Sequence, residues 1–208
     1  TAFTEKEAGI NSVLTSKGIN LQQLRLFIRG LKKEQKLEAW VSNSGGQYKL
    51  YKSFDFCSSS GSLGPKRKQG DGQIPEGLYH IDRFNPSSNF YLSMGINYPN
   101  ASDIKRKTST DAGGDIFIHG ACVTIGCIPI TDDKIKELYA LAVLAKDAGQ
   151  DKIPVHIFPF KMTSENLAEN KGTHTDFWRE LETFYSDFEK EKRLPGFKIL
   201  ASGEYVNQ

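Results

Sequence analysis

The residue pattern predicts a mainly β domain with attached helices, an α+β fold that carries a C-terminal helical extension. Three observations lead there. Short apolar runs with period-two alternation, bounded by Gly, Ser and Asn, fill the stretch from Leu24 to Phe56. Apolar residues recur at helical spacing after Thr131, and again from Phe177 to Phe188. The 208 residues suit one domain with an extension, and a chain of that size buries roughly 70% of its unfolded surface. We divide it into a helical or irregular lead-in (1–22), a main domain (23–160) and a helical extension packed on that domain (161–208).

In chain order, Leu21, Leu24, Leu26 and Ile28 lead into a hairpin whose polar turn lies near Lys32 to Gln35. Its second strand places Leu37, Ala39 and Val41 on one face. Ser42-Asn43-Ser44-Gly45-Gly46 is a turn signal, and Tyr48 to Phe56 reads as the next strand. Ser58 to Gly72 is a Gly- and Ser-rich loop with a basic triplet, Lys66-Arg67-Lys68, which reads as a solvated charge run. Tyr98-Pro99-Asn100 marks a turn before the basic stretch Lys105-Arg106-Lys107. Asp115 to Ile118 is apolar enough for a buried strand. Thr131 with Asp132 and Asp133 supplies an N-cap hydroxyl and two acids at the positive end of a helix. That helix repeats Ile135, Leu138, Tyr139 and Ala142, and runs towards Gly149. Val155 to Phe158 is another short strand. The extension holds a helix opened by His174, with Phe177, Leu181, Phe184 and Phe188 as its packing stripe; Pro195-Gly196 ends it before a strand from Phe197 to Leu200.

The richest chemistry lies in His119-Gly120-Ala121-Cys122-Val123-Thr124-Ile125-Gly126-Cys127. A free cysteine is only ~3% thiolate at pH 7, and lowering its pKa by about two units, worth roughly 2.7 kcal/mol, makes most of it nucleophilic. A neighbouring imidazole achieves this as an ion-pair partner, or takes the proton as attack begins. His119 is expected to emerge at a strand end, and the loop returns through Gly126 to Cys127. Gly120 and Gly126 permit backbone angles or close approach that a side chain hinders, and N–H groups around Gly126 and Cys127 are candidates for oxyanion donors. No third polar residue is assigned to orient His119; a backbone carbonyl serves that role in this reading. A packed thiol or half of a disulfide is the plainer reading of a cysteine in such a loop. His80 and His156 read as packed or surface residues in strands. The four histidines and the C-x4-C spacing form no zinc set, so no metal and no cofactor are expected.

These residues resemble the catalytic signature of the L,D-transpeptidase (YkuD-type) family. A His-Gly pair there precedes Ser/Thr-x-Gly-Cys and an apolar residue, matched by His119-Gly120 and Thr124-Ile125-Gly126-Cys127-Ile128. Tyr51 to Phe56, Ser60-Gly61 and Ile74-Pro75-Glu76-Gly77-Leu78-Tyr79 are similar to the family's upstream strand, Ser-Gly turn and Thr-Pro-x-Gly-x-Phe/Tyr segment. The likeness covers about Leu26 to Phe158. It implies a β-sandwich or barrel-like catalytic domain, with Cys127 as nucleophile, His119 as base, and Gly126, Gly120 and Thr124 supporting the loop and oxyanion. Two departures, the short His119–Cys127 interval and Pro129 where arginine is usual, are similar to the YafK-like branch, as are Tyr98 to Asp103 and the C-terminal extension. Losing that arginine removes a donor for a substrate carboxylate.

The resemblance implies cleavage at the diaminopimelate carbonyl of peptidoglycan stem peptides. Hydrolysis is favoured, such as release of wall-linked lipoprotein or peptide. The alternatives are transpeptidation, which forms cross-links or attaches lipoprotein, a non-catalytic peptidoglycan-binding module, and a redox sensor with Cys122 as resolving thiol. An activated thiolate labels faster than an ordinary cysteine near neutral pH, whereas that of a binding module does not. Lys66, Tyr98 and Asn100 are candidate substrate-binding residues. In an oxidising compartment Cys57 and Cys122 pair and leave Cys127 free; otherwise Cys122 is a small buried residue. The resemblance implies a periplasmic or cell-envelope location, and a chain that starts Thr1-Ala2-Phe3 reads as a mature product from which a signal sequence is absent. A formal charge of +2 makes no case for nucleic acid. No apolar run approaches the ~20 residues of a membrane span.

Overall fold

A computed structural model describes residues 1–208. The elements in chain order are α1 (Ala2–Ser16), a 3-10 turn (Leu21–Gln23), β1 (Leu24–Leu31), β2 (Lys36–Asn43), β3 (Lys49–Asp55), β4 (Gly77–Ser88) and β5 (Tyr91–Ile96). Then follow α2 (Ala101–Arg106), β6 (Phe117–His119), β7 (Ile128–Pro129), α3 (Asp132–Asp147), β8 (Pro154–Phe158), α4 (Ser164–Glu169), α5 (Thr175–Glu191), β9 (Phe197–Ile199) and β10 (Tyr205–Asn207). Eight strands form one curled sheet in the order β3-β2-β1-β8-β4-β5-β6-β7, a half-barrel in a mixed α+β fold. β9 and β10 pair as a separate hairpin.

The hairpin forms as expected: Leu24 pairs with Asn43 and Leu31 with Lys36 across a four-residue turn. Leu37, Ala39 and Val41 are fully buried, together with Leu24, Leu26 and Ile28 of β1. They share a core with Ile10 and Leu14 of α1 and Ile135, Leu138 and Leu141 of α3. Alternate residues of the same strands face the other way, and there the C-terminal helix covers them. Phe27 and Trp40 pack edge-on against Phe188, at 4.9 and 5.1 Å between ring centroids. Leu31 and Phe158 join Phe177, Leu181 and Phe184 in a second core. The sheet centre is therefore apolar on both faces, which a single-face alternation does not reveal.

α3 begins at Asp132, but not through the hydroxyl cap expected at Thr131. That residue has a φ of +67° and its side chain makes no capping bond. The chain must turn sharply from β7 into α3, and the first-turn acid Asp132 instead accepts from the Ala121 amide, at 2.7 Å. Tyr98-Pro99-Asn100 does mark a turn, with a cis peptide at Tyr98–Pro99. It also opens a helix not anticipated from sequence, because Asn100 and Asp103 form a capping box for α2.

The Lys32–Glu76 pair forms a deeply buried charged cluster. Lys32, placed in a polar hairpin turn by the sequence, is almost fully enclosed, and its ammonium donates to Glu76 at 2.9 Å and to the carbonyls of Gly64 and Ile74. Glu76 also accepts from the Gly64 amide and, at 2.8 Å, from the Trp178 indole of α5. Burial pushes the Lys32 ammonium below its ordinary pKa, opposed by the Glu76 charge. The cluster ties the β1–β2 turn, the long 57–76 segment and α5 together.

The two edges of the curled sheet meet. Just past β3, the Cys57 amide donates to the carbonyl of Pro129 in β7, at 3.0 Å. Cys57 is disulfide-bonded to Cys122, with 5.3 Å between the Cα atoms, and Cys127 is left as the free thiol. The oxidised alternative for Cys57 and Cys122 is thus the one the fold adopts.

Two measurements check this architecture. Replacing one member of a buried ion pair strands the other charge, so Glu76→Gln is expected to lower the free energy of unfolding in urea by about 3–5 kcal/mol. Adding Lys32→Met should recover part of that loss; a change below about 1 kcal/mol for the single variant would contradict the role given to the cluster. Alkylation of the denatured, unreduced protein should add one group by intact mass, on Cys127, and three added groups would exclude the disulfide.

Candidate functional site

The segment from His119 to Cys127 lies where the sheet edges converge. β6 pairs with β5 on one side and with the two-residue β7 on the other, so that Ile118 faces Ile128 and His119 faces Pro129. His119 therefore leaves the end of a buried strand, as its sequence context suggested, and Cys127 sits immediately before β7. The intervening loop is held at several points. The Gly120 amide donates to the Leu92 carbonyl at 3.1 Å, the disulfide anchors Cys122, and Asp132 takes the Ala121 amide.

The glycines have local reasons. A Cβ at Gly120 would lie 2.6 Å from Asp132 Oδ1 and 2.9 Å from the Phe90 carbonyl, so a larger residue would push the loop off its anchor. Gly126 has a φ of +129°, which side-chain-bearing residues rarely adopt. Thr124 closes the turn: its hydroxyl donates to the Cys127 carbonyl at 2.7 Å and accepts from the Gly126 amide at 3.2 Å. The Gly126 amide is thereby engaged within the loop.

His119 and Cys127 line one cavity of about 440 Å³. Its walls also include Phe90, Phe117, Val123 and Ile125, with Asp115 and Thr124 as polar members. The imidazole is covered by Phe90, whose ring centroid lies 4.8 Å away, and its Nδ1 hydrogen-bonds the Gly120 carbonyl. That contact assigns the proton to Nδ1 and leaves Nε2 as an acceptor. It is also the backbone carbonyl expected in place of a third polar side chain. Burial pushes the His119 pKa down, a shift the Gly120 bond opposes.

The thiol receives a hydrogen bond from the Phe117 amide at 3.4 Å and directs its own proton at the Asp115 carbonyl, 3.6 Å away. Burial pushes its pKa up, the Phe117 amide lowers it, and the nearby Asp115 charge raises it further. A thiol moved up and an imidazole moved down, in one cavity, favour the neutral form of both. The resting thiolate considered from sequence is not what these surroundings favour.

The three candidate substrate-binding residues lie in the supporting structure. Lys66 is buried and donates to Asp71 at 2.7 Å and to the Lys68 carbonyl. The Tyr98 hydroxyl donates to the Ala112 carbonyl. Asn100 caps α2 with its carbonyl and donates to Leu78 O and the Tyr205 hydroxyl with its amide. None of the three lines the cavity. The residues that do, and that sequence reasoning did not single out, are Phe90, Asp115, Phe117, Val123 and Ile125. Val123 and Ile125 offered a sequence signal as apolar residues between Gly120 and Gly126, and in the structure they are 59% and 89% exposed, a surface that water disfavours.

His156 is fully packed among Phe27, Phe158 and Phe197, with its pKa pushed down to about 3. His80 is partly exposed in β4, and His174 occupies the N-cap of α5. A larger apolar hollow of about 510 Å³ lies between α1, β5 and α3, lined by Phe3, Tyr91, Leu92 and Tyr139, and holds neither a thiol nor an imidazole.

Comparison with known proteins bears on this geometry. Residues 27–157 match the family model described as YkuD, L,D-transpeptidase catalytic domain. The chain is 36% identical over 184 residues to the putative L,D-transpeptidase YafK of Escherichia coli strain K12, covering 87% of this chain and 73% of that protein; the protein of that name in E. coli O157:H7 matches equally. Among solved structures, the helical cell shape determining protein Pgp2 from Campylobacter jejuni superposes with a TM-score of 0.52 at 16% identity, over 92% of this chain and 80% of that one, a likeness of fold alone. The family match runs from within β1 to within β8 and so includes both His119 and Cys127: the chain belongs to the YkuD family of L,D-transpeptidase catalytic domains, a family that acts on peptidoglycan.

Proposed function

We propose that the protein cleaves peptidoglycan stem peptides at the diaminopimelate carbonyl, with Cys127 as nucleophile and His119 as base. The observation that carries this reading is the shared cavity: the free thiol and the imidazole line it together, with Nδ1 held by the Gly120 carbonyl and Nε2 left to accept. As the sulfur attacks, the S–H proton passes to Nε2 and the carbonyl becomes tetrahedral. Collapse breaks the C–N bond, and the imidazolium returns its proton to the departing amine. The resulting thioester is resolved by water, from which His119 takes a proton, releasing the acid and regenerating the thiol. Thr124, Gly120 and Gly126 keep the loop in this geometry.

Hydrolysis is the favoured outcome, with wall-linked lipoprotein or peptide as a released group. Pro129 stands where a cationic donor for the substrate is usual in the family, which supports a departure from ordinary cross-linking. The name of the E. coli relative, a putative L,D-transpeptidase, favours the second reading, in which an amine resolves the thioester. The Cys57–Cys122 disulfide supports a periplasmic or cell-envelope location, where disulfides persist. No helix is long and apolar enough to cross a membrane.

Cys127→Ala and Cys127→Ser are expected to abolish peptide release from muropeptides and from wall bearing attached lipoprotein, and His119→Ala to lower kcat by about 10²–10⁴. Release that survives both cysteine changes would defeat the mechanism, and new cross-linked dimers without release would replace hydrolysis by transfer. The pH dependence follows from the two shifts. The base is competent above its lowered pKa, so the acid limb of kcat should fall below the ordinary imidazole value of about 6.5. Iodoacetamide should label Cys127 at neutral pH no faster than a free cysteine, because the thiol ionises only above its ordinary range. Slow labelling therefore does not argue for a binding module, and fast labelling would show a resting thiolate.

A further inference from the structure

The rim of the cavity carries an ion pair that the proton transfers do not use. Arg83 in β4 stands opposite Gly95 in β5, and Gly95 stands opposite Phe117 in β6. Because Gly95 lacks a side chain, Arg83 lies flat across β5: a Cβ there would come 2.4 Å from its Nε and 2.6 Å from its Cγ. The guanidinium thereby reaches the Phe117 ring, 4.8 Å from its centroid, and donates through Nη2 to Asp115 Oδ1 at 3.0 Å. Its Nε is 3.6 Å from Asp82. Both partners are open to solvent, Arg83 at 45% and Asp115 at 82%. Such an exposed pair adds little to stability, so folding alone does not account for an arginine laid across a glycine towards a catalytic cavity. Asp115 and Phe117 line that cavity, and both touch the Cys127 sulfur through their backbone. A cation and an anion thus stand side by side next to the nucleophile, beside the apolar walls of Phe117, Val123 and Ile125.

We infer that the Arg83–Asp115 pair is a docking site for a zwitterionic amino-acid head group of the substrate, with the guanidinium binding its carboxylate and Asp115 its ammonium. Insertion exchanges one exposed ion pair for two, leaving every charge partnered. The planar guanidinium retains donors beyond the one used by Asp115, as two-pronged carboxylate binding requires. The inference rests on the diaminopimelate reading above. That residue carries a second amino-acid centre at the end of a short aliphatic chain, so an apolar wall ending in paired opposite charges matches its shape and charge.

Binding is measured by calorimetry on the full chain in a Cys127→Ala background, with three stem peptides. One has a free diaminopimelate head group, one has its carboxylate amidated, and one has its amine acetylated. Arg83→Gln should weaken binding of the free peptide about tenfold, the scale of a lost charge-assisted contact, and leave the amidated peptide unchanged. Asp115→Asn should do the same with the acetylated peptide as the insensitive one, and Arg83→Lys should restore part of the carboxylate preference. Equal losses for all three peptides, or no binding of any, would overturn the inference. Turnover by the unmodified protein separates this from the proposed reaction. Head-group-dependent binding without cleavage would leave the docking site standing and remove the reaction, whereas cleavage with binding blind to the head group would do the reverse.

Discussion

The buried contact between Lys32 and Glu76 is the constraint on which the arrangement of the chain depends. An ammonium and a carboxylate removed from water each lose several kcal/mol of hydration, which only close pairing and full hydrogen bonding can offset. Here both conditions hold. Lys32 has three acceptors, and Glu76 receives the lysine, the Gly64 amide and the Trp178 indole. Those partners come from a hairpin turn, a long irregular segment and the C-terminal helix. The geometry that satisfies the charges therefore also sets where these three parts sit on the sheet.

Consequences reach the candidate site through the irregular segment. The Gln73 carbonyl would lie 3.1 Å from a Cβ at Gly126, so the backbone just ahead of Glu76 is packed against the turn that delivers Cys127. On the opposite side, curling of the sheet brings the exit of β3 to β7, and the Cys57 amide and the disulfide join them. The His119–Cys127 loop is thus gripped from both directions although it contains almost no regular structure. That is how a short loop can hold a thiol and an imidazole on one cavity without a third polar side chain. The same enclosure sets the protonation of both groups: desolvation favours the neutral imidazole and the neutral thiol over a standing thiolate.

Much of the fold was legible because its signals are local. Period-two alternation from Leu37 to Val41 and helical spacing from Phe177 to Phe188 report burial directly, and the turn at Lys32 to Gln35 announces itself by composition. The His119 and Cys127 pairing was legible for a different reason, its dense placement of reactive residue types between glycines. Lys66, Tyr98 and Asn100 looked equally available, since a basic triplet and an aromatic turn suggest an exposed surface. Their polar atoms instead bond to Asp71, Ala112, Leu78 and Tyr205, partners that composition cannot name. Thr131 carried a capping residue type, yet the direction in which β7 enters α3 leaves its hydroxyl unused.

By itself, then, the sequence determined the β1–β2 hairpin, the helical character of α3 and α5 and the apolar stripes that drive burial, and it marked His119 and Cys127 as candidates, because each depends on side-chain chemistry within a few positions. Tertiary structure decided which cysteines pair, that a turn lysine is buried, that Arg83 crosses Gly95 to reach Asp115, and that the neutral forms of thiol and imidazole are favoured. Each of these depends on distance and solvent exclusion between residues far apart in the chain. Burial and charge pairing are set by what the folded backbone brings near, and no local pattern encodes that proximity.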